Sequence, residues 1–251
     1  MRIIDCAQGT AEWFTVRMGK PTASCAAKIL TPKTGQLSKQ SRDYAFKLLA
    51  ERLLNRPTET MDGQHWMERG KELEPKAVQQ LEFEEDIQTR QVGFILSADG
   101  RSGASPDRLI VGRPAGCEIK VPAAWTHLEY LLDGHDEKHK PQIQFQCYVA
   151  DFEEVIFYSW HERMPPALIK TPRDDTYIKT LSSAVGQFND NLDELEMRAR
   201  KMGIFQEYAE VMDPASAELG DNIRRDPLVS AEELAEIIEG EAGNRLAWGG
   251  D

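Results

Sequence analysis

The spacing of hydrophobic residues changes near Ile87. Upstream, apolar side chains recur in steps of three and four, which predicts helices; downstream, short runs rich in β-branched and aromatic residues predict strands. The order of the elements predicts an α/β fold, a mixed sheet flanked by helices. The predicted helices cover residues 22–30, 41–53, 64–83, 141–151 and 174–201, and the predicted strands cover 89–96, 103–111, 117–121 and 154–160.

Charge is unevenly distributed along the 251 residues. The net charge is −12, from 30 Lys and Arg against 42 Asp and Glu. Ten acids and three arginines from Asp213 onward account for −7, so residues 1–212 carry only −5. With 41% hydrophobic residues, we expect one folded domain over 1–212. An acidic tail over 213–251 is expected to be partly disordered or a docking element, with a short helix over 230–238. This balance argues against a passive nucleic-acid binder but leaves room for a local basic track.

Several classes of protein are disfavoured. No apolar run approaches a membrane span, and the first residues carry Asp5, Gln8 and Glu12 where a signal peptide needs an apolar stretch. The cysteines never form a C-x-x-C pair, which argues against zinc or iron–sulfur sites. We therefore expect a cytoplasmic protein whose thiols are reduced. The four cysteines are Cys6, Cys25, Cys117 and Cys147.

Three ionisable residues on two predicted strands form the clearest candidate site. Strand alternation places Glu118 and Lys120 on one face, and a hairpin could bring the carboxylate of Asp107 beside Glu118. Two adjacent carboxylates repel unless a positive charge lies between them, and Mg²⁺ prefers such oxygen ligands. A neighbouring lysine could hold a water and offset charge on a phosphate. The pattern indicates phosphodiester hydrolysis; the alternative is a solvated Glu/Lys pair beside a turn aspartate.

The motifs around these residues resemble the lambda-exonuclease/YqaJ-like viral recombinase family of the PD-(D/E)xK nuclease superfamily. The resemblance covers roughly residues 8–200, and five short motifs in the family's order are more specific than any one of them. It implies a restriction-endonuclease-like core. The matching segments are Gln8–Trp13, Arg17–Gly19 with Thr22–Ser24, Arg69–Glu74, Ser105–Asp107 with Glu118–Pro122, and Gln142–Tyr148.

The resemblance implies a metal site. Asp107, Glu118 and the backbone carbonyl of Ile119 would bind Mg²⁺, with Mn²⁺ as a substitute, and Lys120 would activate the attacking water. Glu74 would complete the acidic cluster, although a solvated helix face is the alternative for it. Gln142 and Gln144 would approach the site, and either could instead be a helix-surface residue.

The resemblance also implies a pocket for a 5′-phosphate at Arg17, Ser24 and Ser105. A surface arginine and a helix-capping serine are the plainer interpretations of the first two. The chain departs from the family pattern at Arg108, where glycine is usual, and at His127, near a position where a basic residue is usual. Either residue could take part in the phosphate contact.

Other candidates favour structural roles. His135 and His139 have helical ligand spacing but lie between Gly134 and Pro141, so a solvated loop is favoured over a metal site. The run from Ile178 to Leu195 is too short for a coiled coil and favours core or subunit packing. Four tryptophans favour core anchoring over base stacking: Trp13, Trp66, Trp125 and Trp160.

By this resemblance, the protein is expected to be a Mg²⁺-dependent 5′→3′ exonuclease of phage or prophage origin acting on double-stranded DNA ends. The resemblance implies a homotrimeric ring and a single-strand-annealing protein as partner. Two alternatives stay open: an endonuclease or single-strand exonuclease on the same fold, and a non-catalytic DNA-binding scaffold.

Overall fold

The computed structural model describes residues 1–31, 35–58, 64–135 and 139–204, with residues 64–71 described by their backbone alone. The acidic tail over 213–251, its short helix and the boundary at residue 212 lie outside these ranges. Within them, no helix is both long and apolar enough to cross a lipid bilayer.

Seven α-helices lie in the described ranges, and two of them begin at side-chain caps. Thr10 caps the first helix by accepting a hydrogen bond from the backbone N–H of Trp13, and Asp174 caps the last by accepting one from Tyr177. The helices are α1 (Ala11–Arg17), α2 (Ala26–Ile29), α3 (Ser41–Leu54), α4 (Gln64–Glu85), α5 (Ala124–Asp133), α6 (His139–Ala150) and α7 (Asp175–Lys201). A 3₁₀ turn, Ala23–Cys25, precedes α2.

Eight strands form two sheets in the described part of the chain. They are β1 (Arg2–Ile4), β2 (Thr89–Gln91), β3 (Phe94–Leu96), β4 (Gly103–Ala104), β5 (Arg108–Ile110), β6 (Ala115–Lys120), β7 (Glu154–His161) and β8 (Met164–Pro172). The larger sheet has the order β2-β5-β6-β7-β8, and the smaller one, β1-β3-β4, is antiparallel. In the larger sheet β6 and β7 are parallel, and α5 and α6 make the crossover that a parallel pair requires. The predicted mixed α/β fold is confirmed.

The central strand β6 separates two packed layers. Cys117 and Ile119 are buried against α4, where Ala77 and Leu81 pack on them. The alternate residue Glu118 therefore points to the opposite layer, where α6 packs against the sheet. A charged side chain on a buried strand needs partners supplied by that helix.

Two predicted strands are each divided in the structure. The run 89–96 becomes β2 and β3 in different sheets. Between them lies Gly93, where a Cβ would be only 2.4 Å from the carbonyl oxygen of Cys6, just after β1. The run 103–111 becomes β4 and β5, with Pro106, which has no backbone N–H, between them. The predicted helix 22–30 is shortened to the 3₁₀ turn and α2.

Helices α1 and α5 and strands β1 and β8 were not predicted. Strand β8 contains Pro165 and Pro166, which argue against a strand in sequence. It lies at the edge of the sheet and pairs only with β7, so prolines are tolerated there. All four cysteines lie in the described part of the chain, and all are free thiols there.

The close approach at Gly93 predicts a contrast between two glycines. Gly93→Ala should destabilise the fold by about 1–3 kcal/mol, because a buried backbone atom must move to admit the methyl group. Gly186→Ala in α7, where the added Cβ meets no atom within 4 Å, should instead stabilise by about 0.5–1 kcal/mol through helix propensity. Urea unfolding of the two variants measures both changes; equal effects would contradict the packing described at Gly93.

Candidate active site

The β5–β6 hairpin brings Asp107 to β6. The backbone N–H of Asp107 donates to the carbonyl oxygen of Cys117 at 3.0 Å. The Asp107 carboxylate in turn accepts a hydrogen bond from the backbone N–H of Ile119, at 2.6 Å from Oδ2. This pair of bonds fixes the aspartate beside the middle of β6, as the sequence pattern predicted.

Glu118 is the buried centre of the cluster, with 3% of its surface exposed. Lys120 donates to its Oε1 from the same face of the strand. Two side chains of α6 complete the shell: Nε2 of Gln142 lies 2.6 Å from Oε1, and Nε2 of Gln146 lies 2.5 Å from Oε2. Charge-assisted donors on both oxygens compensate for the loss of water around the carboxylate.

Charges in the cluster shift the pKa values of Asp107 and Lys120. Burial, followed by the negative charge of Glu118, raises the pKa of Asp107 well above its usual range; Glu74 on α4 adds a smaller effect in the same direction. Burial of the Lys120 ammonium opposes its charge, but Glu118 and Asp107 outweigh that and raise its pKa. The ammonium therefore stays protonated and offsets one of the clustered charges.

The oxygen-rich cluster suits a hard divalent cation in charge and ligand type. Asp107 and Glu118 repel each other, and a cation between them would relieve that repulsion. Among the residues that the structure describes, no three His, Cys, Asp or Glu side chains converge closely enough to form a complete metal centre. The donors on Glu118 are two amides and Lys120, so a cation would share this carboxylate with them.

A second polar cluster lies next to the carboxylates. Arg17 donates to Ser105 Oγ (3.1 Å) and to Ser24 Oγ (3.4 Å). Its guanidinium lies 3.9 Å from the centre of the Trp13 ring, and the Trp13 indole N–H donates to Ser105 Oγ at 2.9 Å. Ser24 is exposed, so the cluster is open to solvent on one side. We call these residues the Arg17 pocket: Trp13, Arg17, Ser24 and Ser105.

Gln8 holds the segment that joins the two clusters. Its Nε2 donates to the carbonyl oxygens of Val92 (2.8 Å) and Pro106 (3.0 Å). Pro106 stands between Ser105 of the Arg17 pocket and Asp107 of the carboxylate cluster. One half-buried amide thus fixes the spacing of the two clusters.

Comparison with known proteins identifies the family. Residues 12–153, more than half of the chain, match the model of the YqaJ-like viral recombinase domain. The chain belongs to the YqaJ-like viral recombinase family. This confirms the resemblance found in the sequence. No curated relative matches the chain.

Three solved structures similar to this chain are structures of exonucleases. The alkaline exonuclease LHK-Exo from Laribacter hongkongensis matches with TM-score 0.69 and 29% identity. Its complex with dAMP matches with TM-score 0.68 and 31% identity; each covers 77% of this chain and 98% of that one. A phage related exonuclease from Haemophilus somnus 129PT, at 15% identity and TM-score 0.58 over 71% of this chain and 96% of that one, supports the fold alone. The enzyme class is therefore a nuclease, and this class generally uses divalent metals.

Gln144 does not approach the carboxylates. Its Nε2 donates to the carbonyl oxygen of Pro172 at 2.9 Å, and its Oε1 accepts from the backbone N–H of Asp174 at 2.8 Å. It therefore joins β8 to α7. The glutamine that takes its expected place is Gln146, which the sequence analysis missed; its spacing of four from Gln142, one helical turn, was the available signal.

Arg108 and His127 also lie away from the Arg17 pocket. Arg108 shares the α4 side of the sheet with Ile110, and its Nε donates to Thr89 Oγ1 at 2.9 Å. His127 is fully buried between α5 and the sheet, 2.8 Å from Ser159 Oγ and 2.9 Å from the Pro165 carbonyl oxygen. Burial lowers the pKa of His127, which favours the neutral ring. The structure therefore does not bring either residue to a phosphate at Arg17.

His135 and His139 differ from the solvated loop expected in sequence. His135 Nε2 is 2.9 Å from Thr171 Oγ1, and His139 Nε2 is 2.9 Å from the Tyr130 hydroxyl. Both rings pack against Phe157. Of the tryptophans, Trp160 is buried, whereas Trp125 is 66% exposed, and the side chain of Trp66 lies outside the described part.

The raised pKa of Asp107 predicts a stabilising substitution. Because the folded-state pKa exceeds the unfolded one, ionised Asp107 costs stability at neutral pH, and that cost disappears as pH falls below the unfolded value. Asp107→Asn, which keeps an acceptor for Ile119, should therefore stabilise the metal-free protein at pH 7.5. The gain should vanish near pH 4. Thermal unfolding in EDTA at both values measures it.

Asp174 serves as a matched control, because its pKa is shifted in the opposite direction. The backbone N–H of Tyr177 and the side chain of Lys140 lower the pKa of Asp174. Asp174→Asn should therefore give no gain at pH 7.5. A loss of stability in Asp107→Asn at neutral pH would contradict the repulsion between Asp107 and Glu118.

Proposed function

We propose that this YqaJ-like domain is a Mg²⁺-dependent 5′→3′ exonuclease that acts on double-stranded DNA ends and leaves 3′ single-stranded overhangs. The observation that carries the proposal is the adjacency of two clusters on one short segment. Ser105 contacts Arg17, and Asp107, two residues later, contacts β6 next to Glu118. A terminal phosphate at the first cluster would leave a phosphodiester of the same strand near the second.

The carboxylate cluster supplies the groups for hydrolysis. Asp107, Glu118 and the backbone carbonyl of Ile119 would hold Mg²⁺, with Mn²⁺ as a substitute, and Glu74 on α4 would complete the acidic cluster around it. When bound, the cation supplies Lewis acidity toward the phosphodiester and makes a water more acidic. Lys120, held protonated by Glu118, orients the attacking water and offsets negative charge on the phosphate oxygens. Gln142 keeps the Glu118 carboxylate in one orientation.

The Arg17 pocket supplies end recognition. The guanidinium is planar and can bind two phosphate oxygens at once, and its stacking on Trp13 fixes the plane. The hydroxyls of Ser24 and Ser105 add two short donors. A terminal phosphate monoester carries more negative charge than an internal diester, so this pocket favours a phosphorylated 5′ end.

The assembly and partners belong to the same proposal. We place the protein in the cytoplasm of a bacterial host, encoded by a phage or prophage, as a homotrimeric ring that encloses duplex DNA. The overhangs would serve a single-strand-annealing protein, which agrees with the viral recombinase description of the family. A ring needs few phosphate contacts to stay on DNA, which is compatible with a net charge of −12. The LHK-Exo complex with dAMP, a mononucleotide, supports stepwise release of nucleotides.

The deciding experiment compares DNA ends and metals. Linear duplex with 5′-phosphate or 5′-hydroxyl ends is incubated with the full chain, with Mg²⁺ or with EDTA, and products are resolved by length. We expect mononucleotides from 5′-phosphorylated duplex and none in EDTA. Internal cuts in circular DNA would indicate an endonuclease, equal digestion of single strands would indicate a single-strand exonuclease, and binding without digestion would indicate a scaffold.

Lys120 is expected to be indispensable for the chemical step. Lys120→Ala and Lys120→Arg should both retain less than about one hundredth of the wild-type rate, because a planar fork does not replace a compact ammonium. Lys170→Ala, which removes a surface ion pair with Glu85, is the matched control and should keep the full rate. Full activity of Lys120→Arg would show that Lys120 acts only through its positive charge and does not orient the water.

Arg17 is expected to determine the preference for phosphorylated ends. Arg17→Ala should reduce the ratio of digestion rates on 5′-phosphate and 5′-hydroxyl ends by about tenfold or more, since a hydrogen bond to a charged group is worth about 1.5–3 kcal/mol. Arg108→Ala, on the other face of the sheet, is the control and should keep the ratio. An unchanged ratio in Arg17→Ala would assign Arg17 a structural role.

A further inference from the structure

Gln146 is an amide placed in an apolar layer. It lies on α6, none of its surface is exposed, and its neighbours Phe145 and Cys147 are also fully buried. An uncharged polar side chain in such a position lowers stability unless every polar atom has a partner. The partners of Gln146 are therefore informative about its role.

The amide nitrogen of Gln146 has a clear partner. Nε2 lies 2.5 Å from Oε2 of Glu118, while Gln142 donates to the other carboxylate oxygen at 2.6 Å. The two glutamines are one helical turn apart, so α6 holds the carboxylate at two points. Such a pair restricts rotation of the Glu118 carboxylate more than a single donor would.

The amide oxygen of Gln146 has no partner among the described residues, although it is buried. Exchanging the oxygen and nitrogen would not remove this feature, because Oε1 would then face the carboxylate at 2.5 Å, acceptor against acceptor. An apolar side chain of the same length would avoid the cost of this atom. The amide oxygen therefore points to a donor that the protein chain does not supply.

We infer that Gln146 is a positioning residue for a hydrated divalent cation at Glu118: its amide nitrogen fixes the carboxylate, and its amide oxygen accepts a hydrogen bond from a water held with the cation. This inference rests on the proposed metal-dependent function. It adds a glutamine that holds the ligand Glu118 and the water together. The Glu118 carboxylate and the Gln146 amide oxygen both accept hydrogen bonds, so the group between them must donate. A water molecule can do so.

The same helix offers a matched control in Gln144. It is the same residue type, two positions earlier, and 1% exposed. Both of its amide atoms are bonded to backbone atoms, of Pro172 and Asp174, and neither contacts the carboxylates. Gln144 therefore has the burial and chemistry of Gln146 with a purely structural set of partners.

The test separates stability from metal affinity. Gln146→Met and Gln144→Met are prepared in the full chain, freed of metal with a chelator, and measured by thermal unfolding and by titration calorimetry with Mg²⁺ and with Mn²⁺ in the absence of DNA. Methionine matches the length of glutamine and has no strong donor or acceptor. Gln146→Leu, with a different shape, is measured in parallel in case one replacement packs badly.

We expect the two positions to differ in metal affinity. The Gln146 variants should unfold at a lower temperature without metal, because Oε2 of the buried Glu118 carboxylate loses its donor, and should bind both cations about tenfold or more weakly. Gln144→Met should unfold at a lower temperature and bind both cations within about twofold of wild type.

Two results would overturn the inference while leaving the nuclease proposal intact: Gln146 variants that bind metal as tightly as wild type, or a Gln144→Met variant that loses as much metal affinity as the Gln146 variants do. The first would assign the oxygen an isolated internal water, and the second would make the loss of affinity an indirect effect of destabilising α6. Failure of the wild-type protein to bind or use a divalent cation would overturn the metal-dependent function itself, and the inference with it.

Discussion

The burial of the Glu118 carboxylate on the central strand is the constraint on which the site depends. A carboxylate with 3% exposure is stable only with donors on both oxygens, and three side chains from two elements provide them. This requirement fixes α6 against β6 and keeps Lys120 charged next to the carboxylate. The need to compensate the buried charge of Glu118 thus determines how the side chains around it are oriented. Repulsion that these donors do not offset acts on Asp107 and raises its pKa.

The two clusters are positioned by a single irregular segment rather than by regular structure. Ser105, Pro106 and Asp107 interrupt the strand that the sequence predicted, and Gln8 binds the middle of the segment through the Pro106 carbonyl. The break lets Ser105 face Arg17 while Asp107 faces β6. A continuous strand would have placed side chains two apart on the same face with no freedom to serve two sites.

The parts of the site that follow local rules were predictable from the sequence. Alternation correctly placed Glu118 and Lys120 on one face, and the motif order correctly identified the family. It did not separate Gln142, Gln144 and Gln146, because all three are polar residues in one helix and their roles depend on which β-strand lies opposite each. Nor did it predict β8, whose Pro165 and Pro166 are acceptable only at an edge. That position is a property of the whole sheet.

The parallel pairing of β6 with β7 has a consequence for synthesis of the chain. Asp107, Glu118 and Lys120 have all been synthesised once the chain reaches residue 120. Strand β6 gains its second neighbouring strand, β7, only when residues 154–161 have been added. The α6 donors to Glu118 lie in the intervening crossover, so a nascent chain ending before β7 carries the motif with its central carboxylate unsupported. Parallel pairs of such separation close late in folding. The cluster around Glu118 can therefore be completed only after most of the domain has been made.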